Sequence, residues 1–194
     1  ELKIRKNYFL EEKNLKKDEY FLLVGRLIPD NNSEIIIKGF LKSSSTKKLV
    51  IVGDVPYNDI YANKVKDIKN KNIVFTGYIH DTNDLMTLYR NCFGYVHGHE
   101  YGGTNPTMIN ALDLNCQIIA LETEFNKEML KNKEAIFFTK TVEDIEEKFS
   151  FFEKKIKQLK QKNRNYSLPK IYDWDYITKQ YISLFYNLTN FQNK

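Results

Sequence analysis

Apolar and polar positions along this chain alternate in blocks rather than residue by residue. Short apolar runs at Tyr20 to Val24, Lys48 to Val52, Ile73 to Gly77, Phe93 to His97, Gln117 to Leu121 and Ala135 to Phe138 predict six strands. Between them apolar residues recur at helical spacing: Ile35, Ile36, Ile37 and Phe40; Ile60, Tyr61, Val65 and Ile68; Leu85, Leu88 and Tyr89; and a short helix from Glu124 to Lys131. Start signals accompany two of these helices. Asn32 or Ser33 stands ready to cap the first, and Asp81, with Asp84 three residues on, opens the third in a pattern that resembles a capping box. Strands that are apolar throughout, separated by amphipathic helices, imply a parallel sheet buried on both faces, because parallel neighbours need crossover connections. The predicted fold class is α/β: a doubly wound parallel sheet of about six strands, plus C-terminal helices.

The flanks differ from this middle. Residues 1–18 are charged and lack a sustained apolar period, so they are expected to be a connection from something upstream, with the ligand-binding domain over 19–168. After Thr141 a long helix carries Val142, Ile145, Phe149, Phe152, Ile156 and Leu159, beside a cluster of Lys154, Lys155, Lys157, Lys160, Lys162 and Arg164. Pro169 ends this region. The last segment, 169–194, holds a helix from Asp173 with Trp174, Ile177, Tyr181, Leu184, Phe185 and Leu188 on one side. So apolar a stripe wants a partner, either the sheet's outer helices or a further domain.

In doubly wound folds ligands sit at the carboxyl ends of the strands. The candidates are therefore Gly25 and Arg26, Gly53 and Asp54, Gly77 and Tyr78, and the run from His97 to Asn105. In that run a strand stops, Gly102 and Gly103 free the backbone, and a new helix begins. Thr104 or Asn105 can cap it, and Pro106 fits its first turn, where the missing N–H would have had no partner. A helix opened this way points bare N–H groups and the positive end of its dipole at whatever precedes it. The run reads as a diphosphate site; a turn that uses glycine for geometry and binds nothing is the other reading.

Composition narrows the classes. The chain has 194 residues, 42% of them hydrophobic, enough for one domain or one domain plus a tail. No run approaches the ~20 apolar residues that span a bilayer, and no signal-peptide core follows the charged opening, so a cytoplasmic location is expected. Cys92 and Cys116 lack metal-ligand spacing and read as reduced core thiols. The net charge of +5 comes largely from lysines near the two ends and is not a nucleic-acid signature. The lysine cluster reads as a solvated face. Peripheral contact with anionic lipid headgroups is its second reading, since each basic residue near such a surface contributes about 1 kcal/mol. His97 and His99 lie at alternate positions, one expected toward the crevice and one toward the core, with His99 the sugar or phosphate contact. No third ligand follows them at metal spacing, and no metal is expected. Tyr78 reads as a residue near a base or as a packed surface aromatic.

Several stretches then line up with a known family. Leu23-Val-Gly-Arg-Leu-Ile-Pro29, Leu49-Val-Ile-Val-Gly-Asp54, Val74-Phe-Thr-Gly-Tyr78 and Gly102-Gly-Thr-Asn-Pro106 before Ala111-Leu112 resemble the carboxyl-terminal half of family 4 glycosyltransferases of the GT-B fold. The resemblance covers about Tyr20 to Phe138. The His-Gly-His-Glu-x-Gly-Gly-Thr-Asn-Pro form is similar to the branch that includes bacterial rhamnosyltransferases of capsule and surface polysaccharide synthesis. It implies a Rossmann-like domain that binds a nucleotide-sugar donor, a missing N-terminal domain across the active-site cleft, and a last helix, Trp174 to Leu188, that crosses back to it. It further implies a retaining, metal-independent hexosyl transfer to a saccharide or lipid-linked saccharide acceptor, with the isolated domain inactive.

The resemblance also assigns residues. Arg26 would contact the donor diphosphate; Gly25, Gly77, Tyr78, His99, Gly102, Gly103, Thr104 and Asn105, candidates by their places after the strands and at the helix start, would then stand around the donor. Asn31 stands where the family has a lysine, which removes one cation. Of the family's two glutamates, the first falls at Tyr101, with Glu100 one residue early and taken as the catalytic carboxylate, and the second falls at Asn110, which would accept from ribose hydroxyls less strongly. A deoxyribose donor, a dTDP-sugar such as dTDP-rhamnose, would demand less there than a UDP-sugar. Two rival classes stay open: a sugar-nucleotide epimerase of the same fold, and a catalytically silent nucleotide-binding or assembly module.

Overall fold

The computed structural model of the chain describes residues 8–191. Six strands, β1 (Tyr20–Val24), β2 (Lys48–Val52), β3 (Ile73–Gly77), β4 (Gly94–His97), β5 (Ile118–Leu121) and β6 (Ile136–Phe138), form one sheet in the order β3-β2-β1-β4-β5-β6. Every pairing is parallel. Besides a helical stretch at residues 8–12, the described residues form, in chain order, the helices α1 (Ser33–Lys42), α2 (Ile60–Lys66), α3 (Thr82–Asn91), α4 (Pro106–Asp113), α5 (Glu124–Leu130), α6 (Val142–Lys162) and α7 (Trp174–Phe191). Each predicted strand is present, three of them one residue shorter at the start. The fold is the α/β doubly wound sheet that the apolar blocks imply.

The order reverses once. The chain runs outward from β1 through β2 to β3, then returns to lay β4 on the other side of β1. Crossover connections therefore diverge at the carboxyl ends of β1 and β4 and leave a crevice there.

Alternation along the strands sends side chains to both faces. Phe21 and Leu23 join one cluster with Phe40, Phe149 and Phe152, while Tyr20, Leu22 and Val24 join another with Leu88, Met108 and Leu112. In the first cluster Phe149 meets Phe21 edge-on at 4.9 Å and Phe40 at 5.2 Å, which ties α6 and α1 to the sheet. Aromatic pairs of this geometry contribute about 0.5–1.5 kcal/mol beyond the area they bury.

Local signals settle differently at three places. Asp81 caps α3, accepting from Asn83 N at 2.7 Å, as its position predicts. Asn32 precedes α1, yet neither it nor Ser33 caps that helix: Asn32 is left-handed (φ 57°), and its amide donates to Gly98 O at 2.9 Å. The charged opening also docks. Residues 8–12 are helical, and Leu10 and Leu15 are buried in the second cluster; the rest of the expected connection, residues 1–7, lies outside the described residues.

At the other end, Asn163 closes α6 onto the sheet. Its amide donates to Gln117 Oε1 at 2.7 Å and Glu134 O at 2.8 Å, and its Oδ1 accepts from Glu134 N at 2.9 Å. Beyond it, Trp174, Tyr181, Leu184, Phe185 and Leu188 of α7 are exposed, so the sheet's outer helices do not cover that stripe. Cys92 and Cys116 are free thiols, and both donate to Tyr89 O. Among the described residues no helix is long and apolar enough to cross a membrane.

Candidate functional site

The β1–β4 crevice is built from backbone first. Gly25 ends β1 and donates to Val52 O at 3.0 Å, and Gly53 donates to Gly77 O at 2.9 Å, so the ladder continues past the strands. Gly53 has φ 122°, and a Cβ there would sit 2.1 Å from Gly25 O. Only glycine fits. Arg26 follows on the carboxyl rim, exposed, with no carboxylate paired to its guanidinium among the described residues. That fork of five donors is free for an anion.

Two loops are zipped together behind it. Asn31 is 5% exposed, and its amide donates to Arg26 O at 2.7 Å. Its side chain thus braces the β1–α1 loop, and the same Nδ2 lies 3.1 Å from where a Cβ on Gly25 would stand, beside the His99 ring. Asn32 Nδ2 bonds Gly98 O, and Glu100 N donates to Asp30 O at 2.9 Å. Gly98 lies so close to the first loop that a Cβ would be 2.4 Å from Asn31 O. From the β5 side, Asn126 Nδ2 donates to His99 O at 3.1 Å.

His97 and His99 lie together. The two rings stack at 4.5 Å with 14° between planes, His97 in the interior at 1% exposure and His99 half-buried on the crevice side of it. His97 Nδ1 lies 3.1 Å from Tyr95 Oη. The ring of His99 reaches Gly25, its Cε1 3.0 Å from where a Cβ would stand. Burial pushes His97 well below the usual imidazole range, helped by His99; burial, then the Arg26 charge, lowers His99 to about 4. Both rings are neutral at pH 7. His97 Nε2 and His99 Nδ1 are buried without a hydrogen-bond partner.

After the histidines the chain opens. Glu100 Oε2 pairs with Lys140 Nζ at 2.5 Å, and this bond holds the carboxyl below its usual range. Tyr101 is exposed. Gly102 has φ 118°, and a Cβ at either Gly102 or Gly103 would meet nothing within 4 Å. Thr104 is exposed and uncommitted, and Asn105 caps α4, its Oδ1 accepting from Thr107 N at 3.0 Å. The backbone N–H groups of residues 101–105 have no partner among the described residues. A row of bare amides before a helix N-terminus has the geometry to accept an anion.

The other candidates stand farther out. Gly77 (φ 67°) and Tyr78 end β3, at the sheet's edge beyond β2, with Tyr78 exposed and edge-on to His80 at 4.7 Å. Asn110 is half-buried on α4. The crevice therefore gathers Gly25, Arg26, His99 and Glu100, with the 102–105 loop continuing from them, and leaves Tyr78 at the periphery. Residue types alone missed Gly98, Lys140 and the Tyr95–Thr107 hydrogen bond of 2.9 Å. Tyr95, His97 and His99 at every second position are the one signal that could have placed a polar row on a single strand face. Among the described residues no cluster of three or more His, Cys, Asp or Glu side chains could hold a metal ion.

A parallel sheet in this order with a polar crevice at its reversal is Rossmann-like, and here it is one half of the GT-B fold. The chain belongs to the family described as glycosyl transferases group 1, whose family model matches residues 5–167. No curated protein matches the sequence. Among solved structures, a glycosyltransferase from Rickettsia africae ESF-5 superposes with a TM-score of 0.74 at 12% identity, covering 96% of this chain and 52% of that one. The C-terminal domain of the group 1 family protein LpcC from Francisella tularensis gives 0.67 at 18%, covering 91% and 92%. HepE from Anabaena, in complex with UDP and glucose, gives 0.70 at 12%, covering 82% and 45%. At these identities the likeness is one of fold. The chain spans about half the length of the Rickettsia and Anabaena proteins, 52% and 45%.

Proposed function

We propose that this chain is the donor-binding half of a retaining family 4 glycosyltransferase of the rhamnosyltransferase-like branch. It moves a sugar from a dTDP- or UDP-sugar to a saccharide or lipid-linked saccharide acceptor in surface polysaccharide synthesis, in the cytoplasm at the inner face of the membrane. In this reading residues 19–168 hold the donor, residues 1–18 lead in from an N-terminal domain, and α7 turns its exposed apolar side to that domain.

One observation carries the reading: an unpaired guanidinium, Arg26, and a loop of uncommitted amides with open space at Gly102 and Gly103 share the carboxyl side of the β1–β4 reversal. Breaking the anomeric carbon–oxygen bond builds negative charge on the departing diphosphate. Fixed donors aimed at that charge stabilise the transition state more than the ground state, without a metal. His99 contributes its crevice-facing Nε2 as a neutral donor, and Glu100, held by Lys140, faces the donor sugar. Asn110 accepts from the ribose, and Tyr78 flanks the base.

The test is nucleotide titration of the chain, followed by its melting temperature. A ligand at 100 times its Kd adds about 2.7 kcal/mol to stability, so UDP or dTDP raises the midpoint and Arg26→Ala removes the rise. No response to any nucleoside diphosphate would instead favour the silent assembly module, the reading that the commitment of Asn31 to its own loop supports.

A further inference from the structure

A chain of hydrogen bonds crosses from the start of α4 to the histidine pair, and every proton in it can be assigned. The backbone N–H of Thr107 can only donate, so the Asn105 atom it meets at 3.0 Å is the carbonyl oxygen, Oδ1. That oxygen also lies 2.8 Å from Thr107 Oγ1, and since Oδ1 has no proton, the threonine hydroxyl donates to it. With its only proton used there, Thr107 Oγ1 must accept from Tyr95 Oη at 2.9 Å. Tyr89, the other phenol nearby, donates to Thr107 O at 3.1 Å. Tyr95 Oη has then donated its proton, and it accepts from His97 Nδ1 at 3.1 Å. One backbone amide fixes four side chains in turn.

We propose that Thr107 and Tyr95 are positioning residues for the donor diphosphate: they lock His97 as its Nδ1–H tautomer, a fixed platform on which His99 is stacked. This rests on the reading of the crevice as a nucleotide-diphosphate site and extends it to residues that touch no ligand. His97 is 1% exposed, so a ligand cannot reach it. His99 is only partly buried, and its Nε2 is its one ring nitrogen not sealed in the interior. The relay therefore joins the two halves of the cradle: the cap of α4, behind the bare amides of the 102–105 loop, and the ring beside Gly25. Without it, the His97 ring is free to turn about its Cβ–Cγ bond or change tautomer, and the ring above it loses its fixed bed.

The experiment has a ligand-free arm and a ligand arm. Nitrogen-15 shifts of the imidazoles report the tautomer directly. In the native chain His97 reads as Nδ1–H; in Thr107→Val, which keeps the shape and removes the hydroxyl, it shifts to a mixture or to Nε2–H, and Thr107→Ser restores it. In parallel, affinity for UDP and dTDP is measured for the nucleotide that binds. Thr107→Val weakens it about tenfold, Thr107→Ser does not, and Tyr95→Phe repeats the loss should Thr107→Val unfold the α4 cap. A His97 that is Nε2–H in the native chain, or Thr107→Val binding that matches the native chain while Arg26→Ala binding is lost, overturns the proposal. If neither nucleotide binds the native chain, the donor-site reading fails instead, and the proposal fails with it as a statement about donor binding whatever tautomer is found.

Discussion

His97 and His99 lie face to face at 4.5 Å, and neither carries a charge at neutral pH. Burial lowers His97 well below the usual range, and burial with the Arg26 charge lowers His99 to about 4. In the unfolded chain both return to about 6.5. As pH falls below that value the unfolded state takes up protons that the native state refuses, so stability is lost between about 6.5 and 4. His99 alone accounts for on the order of 2 kcal/mol by pH 5. Urea midpoints at pH 7.5 and 5.0 should therefore differ more for the native chain than for His99→Gln, and equal differences would sink the assignment. The carboxylates do not confuse the comparison, because Asp54 and Asp144 are shifted down and their stability is lost only at lower pH.

Gly102 and Gly103 separate geometry from ligand space. Both have open room for a Cβ, but only Gly102 has the left-handed φ of 118°. Gly102→Val should cost about 1–3 kcal/mol through backbone strain. Gly103→Val should leave the urea midpoint within about 0.5 kcal/mol of native and yet abolish the nucleotide-induced rise in melting temperature. A Gly103→Val chain that still responds to UDP or dTDP would show that the anion does not approach this loop.

What was legible in the sequence was local. Strands buried on both faces are apolar throughout, so β1, β5 and, after Lys48, β2 declare themselves, and Asp81 and Asn105 cap helices through partners two residues away. The rest depended on distant partners. Asn32 abandons its cap for a carbonyl 66 residues on, and Glu100 finds Lys140 at a separation of 40. Leu10 and Leu15 stand in a charged stretch that lacks a sustained apolar period, and the surface they bury against belongs to other elements. For Asn31 the residue type alone did not show that its amide bonds its own loop's backbone at Arg26 O, as short amides beside turns do.

Gly98 holds the two crevice loops in register. An added methyl would stand 2.4 Å from Asn31 O and 2.5 Å from Ile36 Cδ1, and a backbone oxygen cannot yield as a side chain does. Gly98→Ala should cost about 1–3 kcal/mol, as overpacking does, and push the β1–α1 loop away from the crevice. Because Asn31 braces Arg26 through that loop, nucleotide affinity should fall along with the urea midpoint. A variant with lowered stability but native affinity would mean that the loop does not set the guanidinium's place.

Trp174 is the single tryptophan of the chain and is 78% exposed, at the head of a helix whose Tyr181, Phe185 and Leu188 are 57–59% exposed. An indole already in water has little to gain by unfolding, so its emission maximum should barely move through the urea transition that circular dichroism records. For the same reason Phe185→Asp should change the stability of this chain by no more than about 0.5 kcal/mol. In a longer protein that includes the proposed N-terminal domain, the same stripe is buried: the emission shifts to the blue, unfolding shifts it back, and Phe185→Asp becomes destabilising. If the indole is blue-shifted in the 194-residue chain itself, α7 has found a partner surface without that domain, and sedimentation at rising concentration would distinguish a second copy from its own sheet.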